Sequence, residues 1–187
     1  NPPGVTEVII SPLFALAAIV LLMITPILAM RLLAEERRNH TLALLMSAPV
    51  SKTDIVIGKF LSLFLFFLIL ITSLIVLSLL LLLGGTLDFG LLASNVLGLV
   101  LLAASFAAVG LYISSLTAQP VVAAIGSLGV LLSFWIIDFA ADESHAWLHH
   151  ISLLKHFERF NQGLIDTFSI AYFILLMMMC LALTIYR

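Results

Sequence analysis

Residues 60–83 read FLSLFLFFLILITSLIVLSLLLLL, and this stretch decides the fold class of the chain. Apart from four hydroxyl-bearing residues, every position is Leu, Ile, Val or Phe. A helix needs about 20 apolar residues to cross the hydrocarbon core of a bilayer. The run is too long for a buried strand, and it lacks the polar alternation of a transmembrane barrel strand. It therefore predicts a transmembrane helix.

Four further segments are apolar and long enough to span a membrane, at residues 13–30, 91–113, 121–137 and 168–186. Hydrophobic residues make up 63% of the 187 residues and charged residues only 10%, with a mean hydropathy of +1.27. A soluble domain has roughly 45–50% apolar and about 25% charged residues. We therefore predict an all-α polytopic transmembrane helical bundle of five spans, forming a single domain over residues 1–187.

Small residues cluster in the third and fourth predicted spans, and such residues allow helices to approach closely in lipid. They are Ala103, Ala104, Ala107, Ala108, Gly110, Ala123, Ala124, Gly126 and Gly129. We expect them to serve ordinary packing within the bundle rather than to line a pore.

The composition excludes several classes of function. A net charge of −2 leaves no basic surface for nucleic acid, and the single Cys180 provides neither a disulfide framework nor a cysteine-ligated zinc site. The mid-span polar residues are mainly hydroxyls such as Thr25 and Ser105, whereas ion-coupled transporters and intramembrane hydrolases place ionisable groups at that depth. Gly58-Lys59 lacks the upstream glycine of a phosphate-binding loop, so the sequence carries no nucleotide-binding motif.

The distribution of Lys and Arg predicts the orientation of the bundle. Between the first and second spans lie Arg31, Arg37, Arg38, Lys52 and Lys59. The positive-inside rule places this loop in the cytoplasm, so segment 138–167 and the N-terminus lie outside. Because an external N-terminus must be carried across the membrane by something upstream, we expect a sixth span before residue 1.

The cytoplasmic segment 31–54 is the most distinctive part of the sequence. Residues 31–46 are predicted to form one amphipathic helix, with leucines for apolar contact and a charged block at residues 35–38. Pro49 ends this helix because proline cannot continue it. Ser51 or Thr53 can then cap the next helix, with Asp54 near its positive end, and Lys59 can extend to the membrane surface.

The segment is either a solvated connector that sets topology or a surface that docks on a soluble partner. Opposite charges placed side by side are a poor choice for setting topology alone, which favours docking. Its residue order also resembles the permease subunits of type-2 ABC exporters (ABC-2). The residues that match are Glu35-Glu36-Arg37, Thr41-Leu42, Leu44-Leu45, Ser47-Ala48-Pro49-Val50-Ser51 and Ile55-Val56-Ile57-Gly58-Lys59.

Two other stretches support the resemblance. Residues 110–117 (GLYISSLT) are similar to the family's segment before the second cytoplasmic loop. Residues 157–166 (FERFNQGLID) resemble the external segment of the gliding-motility-type branch.

The resemblance implies a permease of the inner (plasma) membrane that has no enzymatic activity and no cofactor of its own. ATP and Mg²⁺ would be bound by a separate ABC ATPase subunit. The residues that the resemblance implies for ATPase docking are Glu35, Glu36, Arg37, Arg38, Thr41, Leu45 and Pro49. A second permease copy or a homologous permease is a further implied partner, and the gliding-type branch adds a membrane protein with a large extracytoplasmic domain.

Two alternatives stay open at this point. One is a membrane scaffold of an ATPase-driven motility or envelope-assembly complex, which would need the same docking surface but would transport no substrate. The other is a secondary transporter, which the scarcity of intramembrane charges disfavours.

The external segment 138–167 is predicted to carry an amphipathic helix that lies in the outer membrane interface, with Trp147 as its anchor. At about 100° per residue, three apolar side chains fall on one face and three histidines on the opposite face. These are Trp147, Ile151 and Leu154, and then His145, His149 and His156. The histidines raise a metal-binding hypothesis, but structural zinc sites want four ligands, so interfacial polar residues are the preferred interpretation.

Overall fold

The computed structural model describes residue 4, residues 6–140 and residues 143–187. Those ranges are almost entirely helical and contain no strand. In chain order the helices are α1 (Ser11–Ala29), α2 (Ala34–Arg38), α3 (Thr41–Ser47), α4 (Lys52–Leu80), α5 (Phe89–Leu116), α6 (Pro120–Ala140), α7 (Leu153–Asn161) and α8 (Thr167–Tyr186). Shorter π- or 3-10-helical turns occupy Thr6–Ile10, Leu81–Leu83 and Glu143–His150.

Five helices are long and apolar enough to cross a membrane, namely α1, α4, α5, α6 and α8. They coincide with the five segments chosen from hydropathy, which confirms the all-α polytopic bundle. The predictions of an external N-terminus and of a sixth span before it concern residues outside the described ranges.

Helix α5 forms the centre of the bundle. In its most apolar window 67% of the residues are buried, against 17–39% in the other four spanning helices. A Cβ added to Gly110 would lie 2.7 Å from the Cβ of Ala29, so the close approach of α1 depends on a missing side chain. Close packing through small residues is thus confirmed for the third span. In the fourth, Ala123 is buried, whereas Gly129 has no neighbour within 4 Å of an added Cβ.

Side-chain caps fix where three spanning helices begin. Ser51 accepts a hydrogen bond from the Asp54 backbone N–H at 3.1 Å, and the Asp54 carboxylate accepts one from the Ser51 N–H, which confirms the expected cap of α4. Asp88 accepts from the backbone N–H of Leu91 at the start of α5. Asp166 does the same for the first turn of α8. Each cap satisfies N–H groups that a helix start otherwise leaves without partners.

The segment before α8 packs onto the end of the bundle where α5 and α8 begin. Ser94 donates a hydrogen bond to the Phe160 carbonyl at 2.7 Å, and Ser11 donates one to the Asn161 carbonyl at 3.2 Å. Phe160 is fully buried against Gly98, where an added Cβ would approach the Phe160 Cβ to 2.5 Å. Helix α7 is therefore held by tertiary contacts to α1 and α5.

The prediction of one continuous interfacial helix with His156 on its polar face is wrong. The chain interrupts the helix at Ile151 and restarts it at Ser152, whose side chain accepts from the Lys155 N–H at 3.3 Å. The restart changes the phase of the later residues, so that Phe157 and His156 turn inward. Trp147 is 59% exposed, and the side chain of His145 lies outside the described part of the chain.

Both ring nitrogens of His156 have hydrogen-bond partners, and its ring is stacked on an aromatic side chain. Its Nε2 lies 3.0 Å from the His150 carbonyl and therefore carries the proton, while Nδ1, 3.0 Å from the Ser169 hydroxyl, accepts. The ring stacks on Tyr172 with centroids 4.3 Å apart. Burial lowers the pKa of His156 below its ordinary value, the bond to the His150 carbonyl opposes that shift, and Arg159 adds to it.

Candidate functional site

One end of the bundle carries most of the cationic residues, and we call it the basic end. It comprises the end of α1, helices α2 and α3, the start of α4, the junction of α5 with α6 and the end of α8. Six of the eight Lys and Arg residues lie there: Arg31, Arg37, Arg38, Lys52, Lys59 and Arg187. This is the end that the sequence predicts to be cytoplasmic.

The basic end is built around an elbow, which we define as α2, α3 and the joint Asn39-His40 between them. The single helix predicted for residues 31–46 is therefore wrong. His40 has a φ of 58°, the one left-handed non-glycine residue in the described part of the chain. That conformation costs roughly 1–2 kcal/mol for an L-residue, although His adopts it more often than most. It ends α2 and redirects the chain into α3.

Helix α2 is fastened to the end of α5. The buried Ser114 hydroxyl accepts hydrogen bonds from the backbone N–H groups of Leu33 and Ala34, at 3.2 and 3.0 Å. It thereby caps a helix that has no side-chain cap from its own segment. Arg37 Nη1 donates to the Ser115 carbonyl at 2.8 Å. Two adjacent residues of α5 thus hold both ends of α2.

An ion pair fastens α2 to α4 as well. Lys59 Nζ lies 2.6 Å from Glu36 Oε1 and 2.6 Å from the Leu32 carbonyl, with side-chain exposures of 17% for Lys59 and 31% for Glu36. These two acceptors hold the ammonium group of Lys59 against α2. The second oxygen of Glu36, Oε2, is buried without a partner in the described structure.

Helix α3, in contrast to α2, contains no buried residue. Leu42 is half-buried and packs against the core, whereas Leu44 is 71% exposed. Beyond the helix, Val50 is also exposed, at 46%. The exposed apolar surface of α3 is therefore suited to a protein partner.

The structure divides the sequence-predicted docking residues into two groups. The side chains of Glu36 and Arg37 bond to α4 and α5, respectively. Five others are exposed or half-buried: Glu35, Arg38, Thr41, Leu45 and Pro49. The sequence placed Leu44 among the leucines that supply apolar contact, and the structure leaves it exposed. The separation of α3 from α2 was not predicted, because it depends on the turn at His40.

No metal centre is present among the residues that the structure describes, because no three His, Cys, Asp or Glu side chains come together in a way that could hold an ion. The hydroxyls within the membrane bond mainly to backbone carbonyls. Thr25, for example, donates to Leu21 at 2.6 Å and Ser105 to Phe173 at 3.3 Å.

Comparison with known proteins gives one match. Residues 5–187 match the family model described as ABC-2 family transporter protein. The matched range includes all five spanning helices and the elbow. No curated protein and no solved structure matches the chain.

Proposed function

The chain belongs to the ABC-2 family of transporter proteins, and from this premise we propose that it is a permease subunit driven by a separate ABC ATPase that docks on the elbow. The observation that carries the proposal is the exposure of α3. Leu44 and Val50 present apolar surface at the basic end, beyond the spanning helices. Covering such surface with a partner removes apolar area from water, which is the main driving force of protein association.

The connections of α2 supply a route for coupling. A partner that moved α3 would pull α2 through the short joint at His40. Because α2 is bonded to Ser114 and Ser115 of α5 and to Lys59 of α4, the pull would reach two spanning helices together. ATP and Mg²⁺ would act on the partner, and this chain would transmit the motion between two packed states.

Within this proposal the docking residues take two roles. Glu35, Arg38, Thr41, Leu45 and Pro49 contact the ATPase, since their side chains are at least partly accessible and none of them is bonded to a spanning helix. The other two, the charged residues that bond to α4 and α5, position α2 and do not contact the partner.

We further propose a dimer in the inner membrane, formed with a second copy or a homologous permease. The resemblance of residues 157–166 to the external segment of the gliding-motility-type branch is our reason for proposing a third partner, a membrane protein with a large extracytoplasmic domain. In the structure this stretch is anchored through buried Phe157 and Phe160, and an ion pair between Arg159 and Asp166 joins its two ends. Co-purification of the full-length complex, with mass spectrometry of its subunits, tests each partner.

The docking surface is tested with Leu44→Ser combined with Val50→Ser. Neither side chain is buried, so we expect the fold to persist. Co-purification of the ATPase should fall at least tenfold, because truncating an anchor residue of an interface lowers the binding free energy by more than about 1 kcal/mol. Leu83→Ser is the matched control, because Leu83 is 90% exposed at the opposite end. Equal recovery of the ATPase by the double variant and the control would refute docking on the elbow.

A further inference from the structure

A cavity of about 160 Å³ opens at the basic end, between the elbow, the first turns of α4 and the last turn of α8. Three cationic side chains line it, those of Arg37, Lys52 and Arg187. Most of the remaining lining is apolar and comes from Leu33, Leu42, Met46, Ile55, Val56 and Ile185. The cavity thus combines positive charge with an apolar wall.

No acidic side chain is among the described residues that line the cavity. The acidic residue nearest in sequence to Lys52 is Asp54, whose carboxylate binds the Ser51 hydroxyl at 2.6 Å as part of the helix cap. Arg37 uses Nη1 to bond Ser115, and a guanidinium has five N–H donors, so donors remain for a ligand. Three like charges around one space favour an anion.

The position of the cavity indicates the kind of anion. Its lining includes the first turns of α4 and the last turn of α8, which are the ends of two spanning helices. Lipid headgroups lie at this depth, and basic pockets between membrane helices bind anionic headgroups. Further along α4 and α8 toward the middle of the spanning helices, exposed apolar side chains such as Ile57 and Leu183 can contact the acyl chains.

We propose that this cavity binds the phosphate group of an anionic phospholipid, with its headgroup between Arg37, Lys52 and Arg187 and its acyl chains along α4 and α8. Free phosphate would need no apolar wall. A protein partner would meet the side of α3 that carries Leu44, which does not line the cavity. The lipid would brace α3 from the membrane side, and its binding requires no ATPase, so this proposal can fail while the proposed function stands.

The test compares lipid retention by purified variants in mixed micelles of phosphatidylcholine and phosphatidylglycerol, counted by native mass spectrometry. The variant is Lys52→Gln with Arg187→Gln, which spares Arg37 because that residue also holds α2. The matched control is Arg31→Gln with Arg38→Gln, which removes the same charge from exposed positions of the same end that do not line the cavity.

The parent is expected to retain phosphatidylglycerol in preference to phosphatidylcholine. The cavity variant should weaken this binding roughly 20–30-fold, which follows from about fivefold for each Lys or Arg near an anionic lipid surface. The control should weaken it less than the cavity variant does, because its residues lie outside the cavity and salt screens their attraction for a headgroup bound there.

Several results would overturn the proposal. Loss of phosphatidylglycerol by the control as large as that by the cavity variant would mean general surface attraction. Displacement of the lipid by inorganic phosphate at equal concentration would mean a site for a free anion. Unchanged lipid retention by the cavity variant, together with lost ATPase co-purification, would assign the cavity to the partner interface.

Discussion

Breaking the ion pair between Glu36 and Lys59 tests whether α2 is fixed to α4. Exposed pairs contribute about 0.2–1 kcal/mol, whereas removing one partner of a buried pair costs about 3–5 kcal/mol. Side-chain exposures of 17% for Lys59 and 31% for Glu36 place this pair between the two cases. Lys59→Gln also removes the bond to the Leu32 carbonyl, so we expect it to lower the free energy of unfolding by about 2 kcal/mol.

Glu36→Gln should cost less, about 1 kcal/mol, because the amide oxygen can still accept the hydrogen bond from Lys59 Nζ although the charge of the pair is lost. For a chain of this size each kcal/mol shifts the melting temperature by about 2–4 °C. Thermal unfolding of the purified protein measures both variants and their combination, and the double variant should lose less than the sum of the two. ATPase co-purification should persist, while stimulation of ATP hydrolysis by the permease should fall.

Glu35→Gln is the matched control, since Glu35 is the neighbouring residue in α2 and forms no ion pair in the described structure. It should leave the melting temperature within about 1 °C of the parent, as a surface substitution does. Strictly additive effects of the two pair variants, or an equal loss in the control, would show that the pair does not join α2 to α4.

Three further predictions concern topology, packing and pH. Cysteine labelling of Ser51→Cys and Ser144→Cys should occur from opposite sides, with Ser51 cytoplasmic; labelling from one side contradicts the five-span topology. Gly98→Ala should lower the free energy of unfolding, measured by thermal unfolding, by about 1–3 kcal/mol, because the new Cβ would lie 2.5 Å from the Cβ of Phe160 in α7. Gly129→Ala is the control and should not destabilise the protein, because nothing lies within 4 Å of an added Cβ there. Because the folded protein holds the pKa of His156 below 6.5, the unfolded chain binds a proton first as the pH falls. Stability should therefore decline below about pH 6.5 and level off beneath the folded pKa, and His156→Gln should remove this slope.

The spanning helices could be predicted from the sequence because their cause is local. The apolar run at residues 60–83 must leave water whatever its neighbours are, and it lies within the spanning segment that begins at Lys52 apart from its last turn. The Ser51–Asp54 cap could also be predicted from the sequence, because the two residues lie within one helical turn of each other.

The elbow could not be predicted in the same way. Helix α2 is capped by Ser114, which lies 81 positions after Leu33 in the sequence. No local sequence pattern predicts that hydrogen bond. Lys59 likewise finds Glu36 across 23 positions. His156 was misplaced because a count of 100° per residue assumes one unbroken helix, and Ser152 restarts it.

The central position of α5 restricts where a substrate could pass. A channel along the axis of a single copy would have to displace a helix whose small residues are packed on nearly every side, including Gly110 against Ala29 and Gly98 against Phe160. The more accessible surfaces belong to α1, α4, α6 and α8, which form the perimeter. Any conduit for cargo is therefore expected at the outside of this bundle, with one wall supplied by lipid or by a neighbouring subunit.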